Sequence, residues 1–124
     1  MIRVLVVDDD PMQLELLDRA LSRDGFELRG VSSVETLEVE ARQFEPELML
    51  IDVNLPDIDP ATVIQAARRG SRAHLVLYSA WEDSKLRGLA RQFGADGYIC
   101  KSESVFALGQ RLRDMNRGGT DVSQ

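Results

Sequence analysis

Cysteine, histidine and long apolar runs are scarce in this chain of 124 residues. The single cysteine, Cys100, excludes an internal disulfide framework and is typical of a protein kept in a reducing compartment. One histidine and one cysteine cannot supply the ligands of a structural zinc site. The longest apolar runs are four residues, too short to span a bilayer. The apolar start runs directly into three aspartates, unlike a secretory leader, so we expect a cytoplasmic protein without membrane attachment.

Lysine is also rare, since only two of the 15 basic residues are lysines, Lys85 and Lys101. The position of each lysine is therefore more informative than usual. With 21 acidic residues the net charge is −6, which argues against nonspecific binding to a nucleic-acid backbone. We therefore expect no direct nucleic-acid contact by this domain.

Three continuous apolar runs predict strands buried on both faces, as in a parallel sheet. Two weaker segments, one alternating and one very short, predict strands at the edges of that sheet. Segments with helical periodicity lie between the strands. The predicted strands are 4–7, 26–31, 48–51, 75–78 and 98–100, and the predicted helices lie near 11–23, 34–44, 60–68, 84–93 and 104–115.

Capping residues support these helices. Asp10 and Asp59 each precede a proline, which is the pattern of an N-cap followed by proline at the first helical position. The Ser-Ser-Val-Glu segment at 32–35 fits a capping box. Glycines follow three of the predicted helices as stop signals, namely Gly25, Gly70 and Gly94.

Strict alternation of five strands and five helices predicts right-handed crossovers and an α/β fold. We expect a flavodoxin-like, doubly wound, five-stranded parallel sheet in the order 2-1-3-4-5, with helices on both faces. Residues 1–116 would form this single domain. Residues 117–124 are polar and contain glycine, so we expect a flexible tail or the start of a linker there.

Polar residues follow the predicted strands at their carboxyl ends. Asp8 and Asp9 come after the first strand, and Asp52 comes after the third. Ser79 ends the fourth strand, and Lys101 follows the fifth. Because the carboxyl ends of parallel strands meet at one edge of the sheet, we expect these five side chains to converge in one pocket.

Carboxylates crowded in this way repel one another unless a cation offsets them. A set of oxygen donors suits a hard ion, Mg²⁺ or Mn²⁺, and does not suit zinc. An ammonium and a hydroxyl beside such an ion can bind a phosphoryl group, and a carboxylate there can act as a nucleophile and form an acyl phosphate. Asp10, which precedes Pro11, is better explained as a helix cap than as a further ligand.

The ordered set of motifs resembles the receiver domain of two-component response regulators. The match extends from residue 2 to about residue 116. The segments that carry it are Val-Val-Asp-Asp-Asp at 6–10, Asp-Val-Asn-Leu-Pro at 52–56, Tyr-Ser-Ala at 78–80 and Gly-Ala-Asp-Gly-Tyr-Ile-Cys-Lys at 94–101.

The resemblance implies that Asp52 is the phosphoacceptor. It also implies a Mg²⁺ (or Mn²⁺) site in which Asp9 and Asp52 are direct ligands and Asp8 acts mostly through water. The backbone carbonyl of Asn54 would be a third protein ligand. Such a domain catalyses only its own phosphorylation and hydrolysis, so it is a signalling switch and not a metabolic enzyme.

In the same family pattern Ser79 and Lys101 bind the phosphoryl oxygens. Tyr98 matches the aromatic residue that turns inward when the hydroxyl residue moves toward the phosphate, which repacks the surface of the fourth helix, fifth strand and fifth helix. The positions of Trp81 and Asn54 influence the access of water to the acyl phosphate. We expect the indole to cover the site in part and to slow hydrolysis.

The resemblance further implies two kinds of partner. A sensor histidine kinase or a histidine phosphotransfer protein would supply the phosphoryl group, and a downstream effector or fused output domain would respond to it. Pro60 stands where the family often has glycine, and Ser102 stands where it often has proline. Neither departure removes a reactive group from the pocket.

Two alternatives come from other functional classes. An aspartate-nucleophile phosphohydrolase of the haloacid dehalogenase type would explain the Asp-x-Asp pattern at 8–10, but Pro11 and the lack of an acid pair after the fourth strand disfavour it. A phosphorylation-independent interaction module with the same fold is the second alternative. It predicts no Mg²⁺ binding and no response to a small acyl phosphate donor.

Overall fold

The computed structural model describes residues 1–117. Strands and helices alternate throughout this part of the chain, as the apolar patterning predicts. The elements are β1 (Ile2–Val7), α1 (Pro11–Arg23), β2 (Phe26–Val31), α2 (Val34–Phe44), β3 (Leu48–Ile51), α3 (Pro60–Gly70), β4 (His74–Ser79), α4 (Asp83–Phe93), β5 (Gly97–Cys100) and α5 (Val105–Asn116).

The strands form one parallel sheet in the order β2-β1-β3-β4-β5, which confirms the predicted flavodoxin-like topology. The two segments predicted as edge strands, β2 and β5, do lie at the edges. The register places Val7 beside Ile51 and Ile51 beside Leu77, so the strands end together. The residues that follow them are therefore brought to one edge of the sheet.

The sheet separates two apolar cores, because successive side chains of a strand point to opposite faces. On one face the strands pack against α2, α3 and α4, and on the other against α1 and α5. Alternation within β1 shows the division, since Leu5 and Val7 belong to the first core and Val4 and Val6 to the second. Burial on both faces explains why the central strands read as continuous apolar runs.

Two of the predicted helix starts are confirmed by their hydrogen bonds. The Asp10 carboxylate accepts from the backbone N–H of Met12 at 3.0 Å. Asp59 accepts from the N–H of Ala61 at 3.4 Å. The predicted capping box at 32–35 is wrong, because Ser33 is the N-cap of α2 and its side chain makes no capping hydrogen bond.

The helix ends match the glycine signals in two of three cases. Gly25 (φ 87°) and Gly94 (φ 68°) adopt the left-handed conformation that favours glycine. Gly70 is different, because it is the last residue of α3 and the helix continues to it, beyond the predicted end at 68. A Cβ atom at Gly70 would lie 2.5 Å from the carbonyl oxygen of Glu38, so this glycine permits close contact between α2 and α3. Glu45 ends α2 in the left-handed conformation without being glycine (φ 52°).

No helix within residues 1–117 is both long enough and apolar enough to cross a membrane. Arg117 caps the carboxyl end of α5. The remainder of the tail predicted at 117–124 lies outside the described residues.

Candidate functional site

Three aspartates meet at the carboxyl edge of the sheet. Asp8 follows β1 directly and Asp52 follows β3, and both are almost completely buried, with 1% and 5% exposure. Asp9 is exposed beside them. Each contributes a carboxylate oxygen to a group in which all oxygens lie within 4.8 Å of one another. The structure therefore brings together the three acids that the sequence predicted as a metal site.

The two buried carboxylates are held in the same way. One oxygen of Asp8 accepts the backbone N–H of Asp10 at 3.0 Å. One oxygen of Asp52 accepts the backbone N–H of Asn54 at 2.9 Å. Each of these bonds spans two residues, as in an Asx turn, so the chain just after the strand fixes its own carboxylate. The second oxygen of each carboxylate is left to face the pocket.

Lys101 joins the two buried carboxylates. Its ammonium donates to Asp8 Oδ2 and to Asp52 Oδ2, at 2.9 Å in each case. Burial acts to lower the pKa of Lys101, but the hydrogen bonds and negative charges of Asp8 and Asp52 outweigh it, and the pKa lies above the usual value. The lysine therefore stays charged and offsets the repulsion between the two acids.

Ser79 is fixed next to this lysine by the pairing of β4 and β5. Its carbonyl accepts the backbone N–H of Lys101 at 2.8 Å, which continues the ladder beyond the end of β5. The Ser79 side chain is fully buried, and its Oγ accepts the backbone N–H of Trp81 at 3.2 Å. The hydroxyl thus lies at the base of the loop after β4, as its place in the sequence predicted.

Trp81 lies on that loop and packs against the core below α4. The ammonium of Lys85 lies 3.8 Å from the centre of the indole ring, a cation–π contact. Asn54, the other residue predicted to influence water access, has an exposed side chain in the loop after β3. The indole therefore has an apolar surface beneath it and a cation above it.

Tyr98 is buried in the middle of β5, with 6% exposure, and packs in the core under α4. Its hydroxyl accepts a hydrogen bond from Arg87 Nε at 2.9 Å and donates to Asp83 Oδ2 at 3.3 Å. This side chain is already directed inward, whereas the resemblance implies only that it turns inward when phosphorylation occurs.

The sequence reasoning did not identify Arg87 or Asp83. They stand four residues apart on α4 and contact each other at 3.5 Å. An acid and an arginine at this spacing are a common pair on an exposed helix face, so the spacing alone did not distinguish a role at Tyr98. The buried face of α4 is formed by Leu86 and Ala90, whereas Asp83 and Arg87 are exposed, so the periodicity of the helix gave no signal for them.

This arrangement can attract a divalent cation, and with the negative charge so offset it can accept a phosphoryl group beside Lys101. Three carboxylates against the one ammonium of Lys101 leave an excess of negative charge at the pocket. Clustered carboxylate oxygens are donors of the type that Mg²⁺ prefers, so the residues present fit that ion. Asp52 also offers an oxygen that is buried and oriented, as a nucleophilic carboxylate needs.

Comparisons with known proteins agree on one family. Residues 4–113 match the family model of the response regulator receiver domain. The chain is 31% identical over 119 residues to the DNA-binding response regulator MtrA of Mycolicibacterium smegmatis, covering 96% of this chain and 52% of MtrA. It thus spans about half the length of the curated relatives that it matches.

Solved structures show the same fold. The signal receiver domain of the putative response regulator NarL from Mycobacterium tuberculosis is 28% identical with a TM-score of 0.78, and the match covers 94% of this chain and 97% of that one. A CheY-like receiver domain protein from Methanospirillum hungatei is 21% identical with a TM-score of 0.82, and 95% of each chain is covered.

Proposed function

Because this chain belongs to the response regulator receiver domain family, we propose that it is a signalling switch that accepts a phosphoryl group on Asp52. The observation that carries the proposal is the double contact of Lys101 with Asp8 and Asp52. An ammonium held between two buried carboxylates needs only a small movement to pair with a phosphoryl group on one of them. We also propose that the domain works in the cytoplasm, where the nucleotide that charges histidine kinases is found.

Asp8, Asp9 and Asp52 would hold Mg²⁺, together with the backbone carbonyl of Asn54. When bound, the ion supplies positive charge that offsets the charge on the transferred phosphoryl oxygens. The chemistry of the donor set supports this assignment, because it consists of oxygen atoms from clustered carboxylates.

The reaction uses the Asp52 carboxylate as the nucleophile. Its Oδ2, which faces the pocket and accepts from Lys101, attacks the phosphorus of a phosphohistidine, a P–O bond forms as the P–N bond breaks, and the imidazole leaves. Lys101 then shifts from the Asp52 carboxylate to a phosphoryl oxygen, and the Ser79 hydroxyl donates to another. Hydrolysis of the acyl phosphate reverses the switch, so the domain turns over only its own modification.

Exposed apolar side chains on α1 and α5 support docking of the phosphoryl donor. Met12 and Leu16 on α1 are 78% and 49% exposed, and Phe106 on α5 is 84% exposed. The first turn of α1 begins at Pro11, directly after the acidic segment. A sensor histidine kinase or a histidine phosphotransfer protein that covers this face would bring its histidine to Asp52.

The response would be read by another protein or domain. The relatives are DNA-binding or transcriptional regulators of about twice this length, so we propose an effector or a fused output domain that responds to the surface of α4, β5 and α5. Tyr98, on the strand next to that of Ser79 and paired with Leu77, would connect the pocket to that surface.

Incubation with acetyl phosphate and Mg²⁺ followed by intact-mass spectrometry tests the switch. We expect the wild type to gain the mass of one phosphoryl group and Asp52→Asn to gain none. Asp57→Asn is the matched control, because Asp57 is an exposed aspartate of the same loop outside the acidic cluster. An Asp52→Asn variant that labels like the wild type would overturn the proposal. Turnover of a generic phosphate ester without stable labelling would favour the phosphohydrolase.

We further propose that Trp81 limits the access of water to the acyl phosphate. The ring packs against the core on one side and against the Lys85 ammonium on the other, and it lies on the loop directly after Ser79, which supports this role. We expect Trp81→Ala to shorten the phosphoryl lifetime severalfold, measured as loss of the labelled mass after removal of the donor. Lys85→Met, which removes only the cation, is expected to have a smaller effect, and an unchanged decay rate in Trp81→Ala contradicts the proposal.

A further inference from the structure

We propose that Asp83 and Arg87 are positioning residues that hold Tyr98 in its inward position before any phosphoryl group arrives. We call these two side chains and the Tyr98 hydroxyl the α4 clasp. This inference rests on the proposed function, and it adds to it a device that sets the unmodified state of the switch.

The clasp uses the full hydrogen-bonding capacity of the Tyr98 hydroxyl. A phenol has one proton to donate and a lone pair to accept with. Tyr98 donates to Asp83 Oδ2 at 3.3 Å and accepts from Arg87 Nε at 2.9 Å, and Arg87 also contacts Asp83 at 3.5 Å. The three groups therefore form a closed cycle. Both partners are charged, and hydrogen bonds to charged groups are stronger than neutral ones.

The clasp links two neighbouring elements, α4 and β5. Tyr98 lies on β5, whereas Asp83 and Arg87 lie one turn apart on α4. The Arg87 guanidinium also lies over the Tyr98 ring, 5.9 Å from its centre. The hydrogen bond to Tyr98 raises the pKa of Arg87 above its usual value, so the guanidinium charge is favoured in this arrangement. Outward rotation of Tyr98 would break all of these contacts together.

The position of Tyr98 bears directly on Ser79. Tyr98 pairs with Leu77 across β4 and β5, and Ser79 is two residues beyond Leu77. Alternation along a strand therefore places Tyr98, Leu77 and Ser79 on the same face of the sheet. The buried ring belongs to the core on this face, and its hydroxyl is held by side chains of α4. The clasp thus fixes the surroundings in which Ser79 moves.

Population arithmetic gives the consequence. When a ligand requires a particular arrangement, its apparent Kd equals the intrinsic Kd divided by the fraction of molecules that already adopt that arrangement. With the clasp in place Tyr98 is inward in the unmodified protein, so phosphoryl binding has no need to reorganise it. Without the clasp the ring also samples outward positions. The fraction of molecules with an inward ring then falls, and the affinity for a phosphoryl group falls with it.

The first measurement is the affinity for beryllofluoride with Mg²⁺, a stable mimic of the phosphoryl group, determined by isothermal titration calorimetry. We expect Arg87→Gln, Asp83→Asn and Tyr98→Phe each to weaken binding roughly fivefold. The double variant Arg87→Gln/Tyr98→Phe should lose no more than either single variant, because both remove the same contact. Arg19→Gln is the matched control, because it breaks an equivalent pair, with Glu15 on α1 at 2.7 Å.

The second measurement follows Tyr98 itself and does not depend on phosphorylation. Tyr78 and Tyr98 are the only tyrosines, so ¹³C-tyrosine labelling gives two sets of ring signals, which Tyr98→Phe assigns. In the unmodified protein we expect a soluble paramagnetic probe to broaden the Tyr98 signals severalfold more in Arg87→Gln than in the wild type or Arg19→Gln. Unchanged broadening in Arg87→Gln overturns the clasp. If the wild type fails to bind beryllofluoride, the proposed function is refuted. The paramagnetic broadening of the Tyr98 signals still tests the clasp in that case, because it is measured on the unmodified protein.

Discussion

Lys101 is the residue on which the pocket depends most. It lies between two carboxylates that are nearly inaccessible to water, and its own side chain is 22% exposed. Removal of one partner from a buried charge cluster costs more than the cluster contributes, because the remaining charges are left without compensation. The lysine is therefore both a phosphoryl ligand in the proposed function and a stabilising residue in the unmodified protein.

Replacement of this lysine should destabilise the protein. We expect Lys101→Met to lower the free energy of unfolding by about 3 kcal/mol in the absence of divalent cations, because Asp8 and Asp52 are then buried without a counter-charge. Urea denaturation in a chelator measures the loss. Lys85→Met, the substitution of the other lysine, should cost less than about 1 kcal/mol, since it removes only a cation–π contact at an exposed site. Equal effects of the two substitutions would contradict the role given to Lys101.

At the scale of single elements, the sequence predicted which helices and strands exist better than it predicted their caps and the contacts between them. The ten elements, and the edge positions of β2 and β5, followed from apolar runs and helical periodicity. The missing cap hydrogen bond at Ser33 was not predictable, because such a bond depends on one side-chain rotamer. The role of Gly70 was not predictable either, because a helix–helix contact depends on a partner far away in the chain. The clasp on Tyr98 was not predicted for the same reason, since no local sequence pattern shows which strand residue a helix side chain will contact.

Two helical glycines give opposite predictions. Gly88 lies in the middle of α4, and a Cβ atom there would meet nothing within 4 Å. We expect Gly88→Ala to raise the free energy of unfolding by about 1 kcal/mol through helix propensity alone. At Gly70 the same substitution would place the methyl group 2.5 Å from the carbonyl oxygen of Glu38, so Gly70→Ala should lower stability.

Chemical denaturation of both variants beside the wild type makes the comparison. Each variant adds one methyl group to a helix, so the difference between them isolates the contact of α2 with α3. A Gly70→Ala protein as stable as the wild type would show that this contact adjusts without cost.

At the scale of the whole molecule, the fold gathers residues that are distant in sequence. Asp8, Asp52 and Lys101 are separated by 44 and 49 positions, and only the common end of the strands brings them together. The parallel order was predictable from the sequence, so the convergence of these residues was predictable too. The contacts that orient them, such as the Asn54 N–H on Asp52, required the structure.

Divalent cations should stabilise the whole domain. A ligand at about 100 times its Kd adds roughly 2.7 kcal/mol to the stability of the folded state. We therefore expect millimolar Mg²⁺ to raise the Tm of the wild type, measured by calorimetry. Asp9→Asn should raise the stability without metal by up to about 1 kcal/mol, because it removes one repelling charge. It should also weaken the response to Mg²⁺, and a wild type whose Tm ignores Mg²⁺ would contradict the metal assignment.

The stacking of Lys85 on Trp81 has a practical consequence. The chain contains one tryptophan, so all of its indole fluorescence arises from Trp81. The backbone N–H of this residue donates to the Ser79 hydroxyl, and its ring contacts the Lys85 ammonium. Movement of that hydroxyl alters the attachment of the fluorophore and its distance from a neighbouring ammonium. The unlabelled protein therefore carries an intrinsic optical probe bonded to Ser79, suited to stopped-flow tests of the proposed metal binding and phosphorylation.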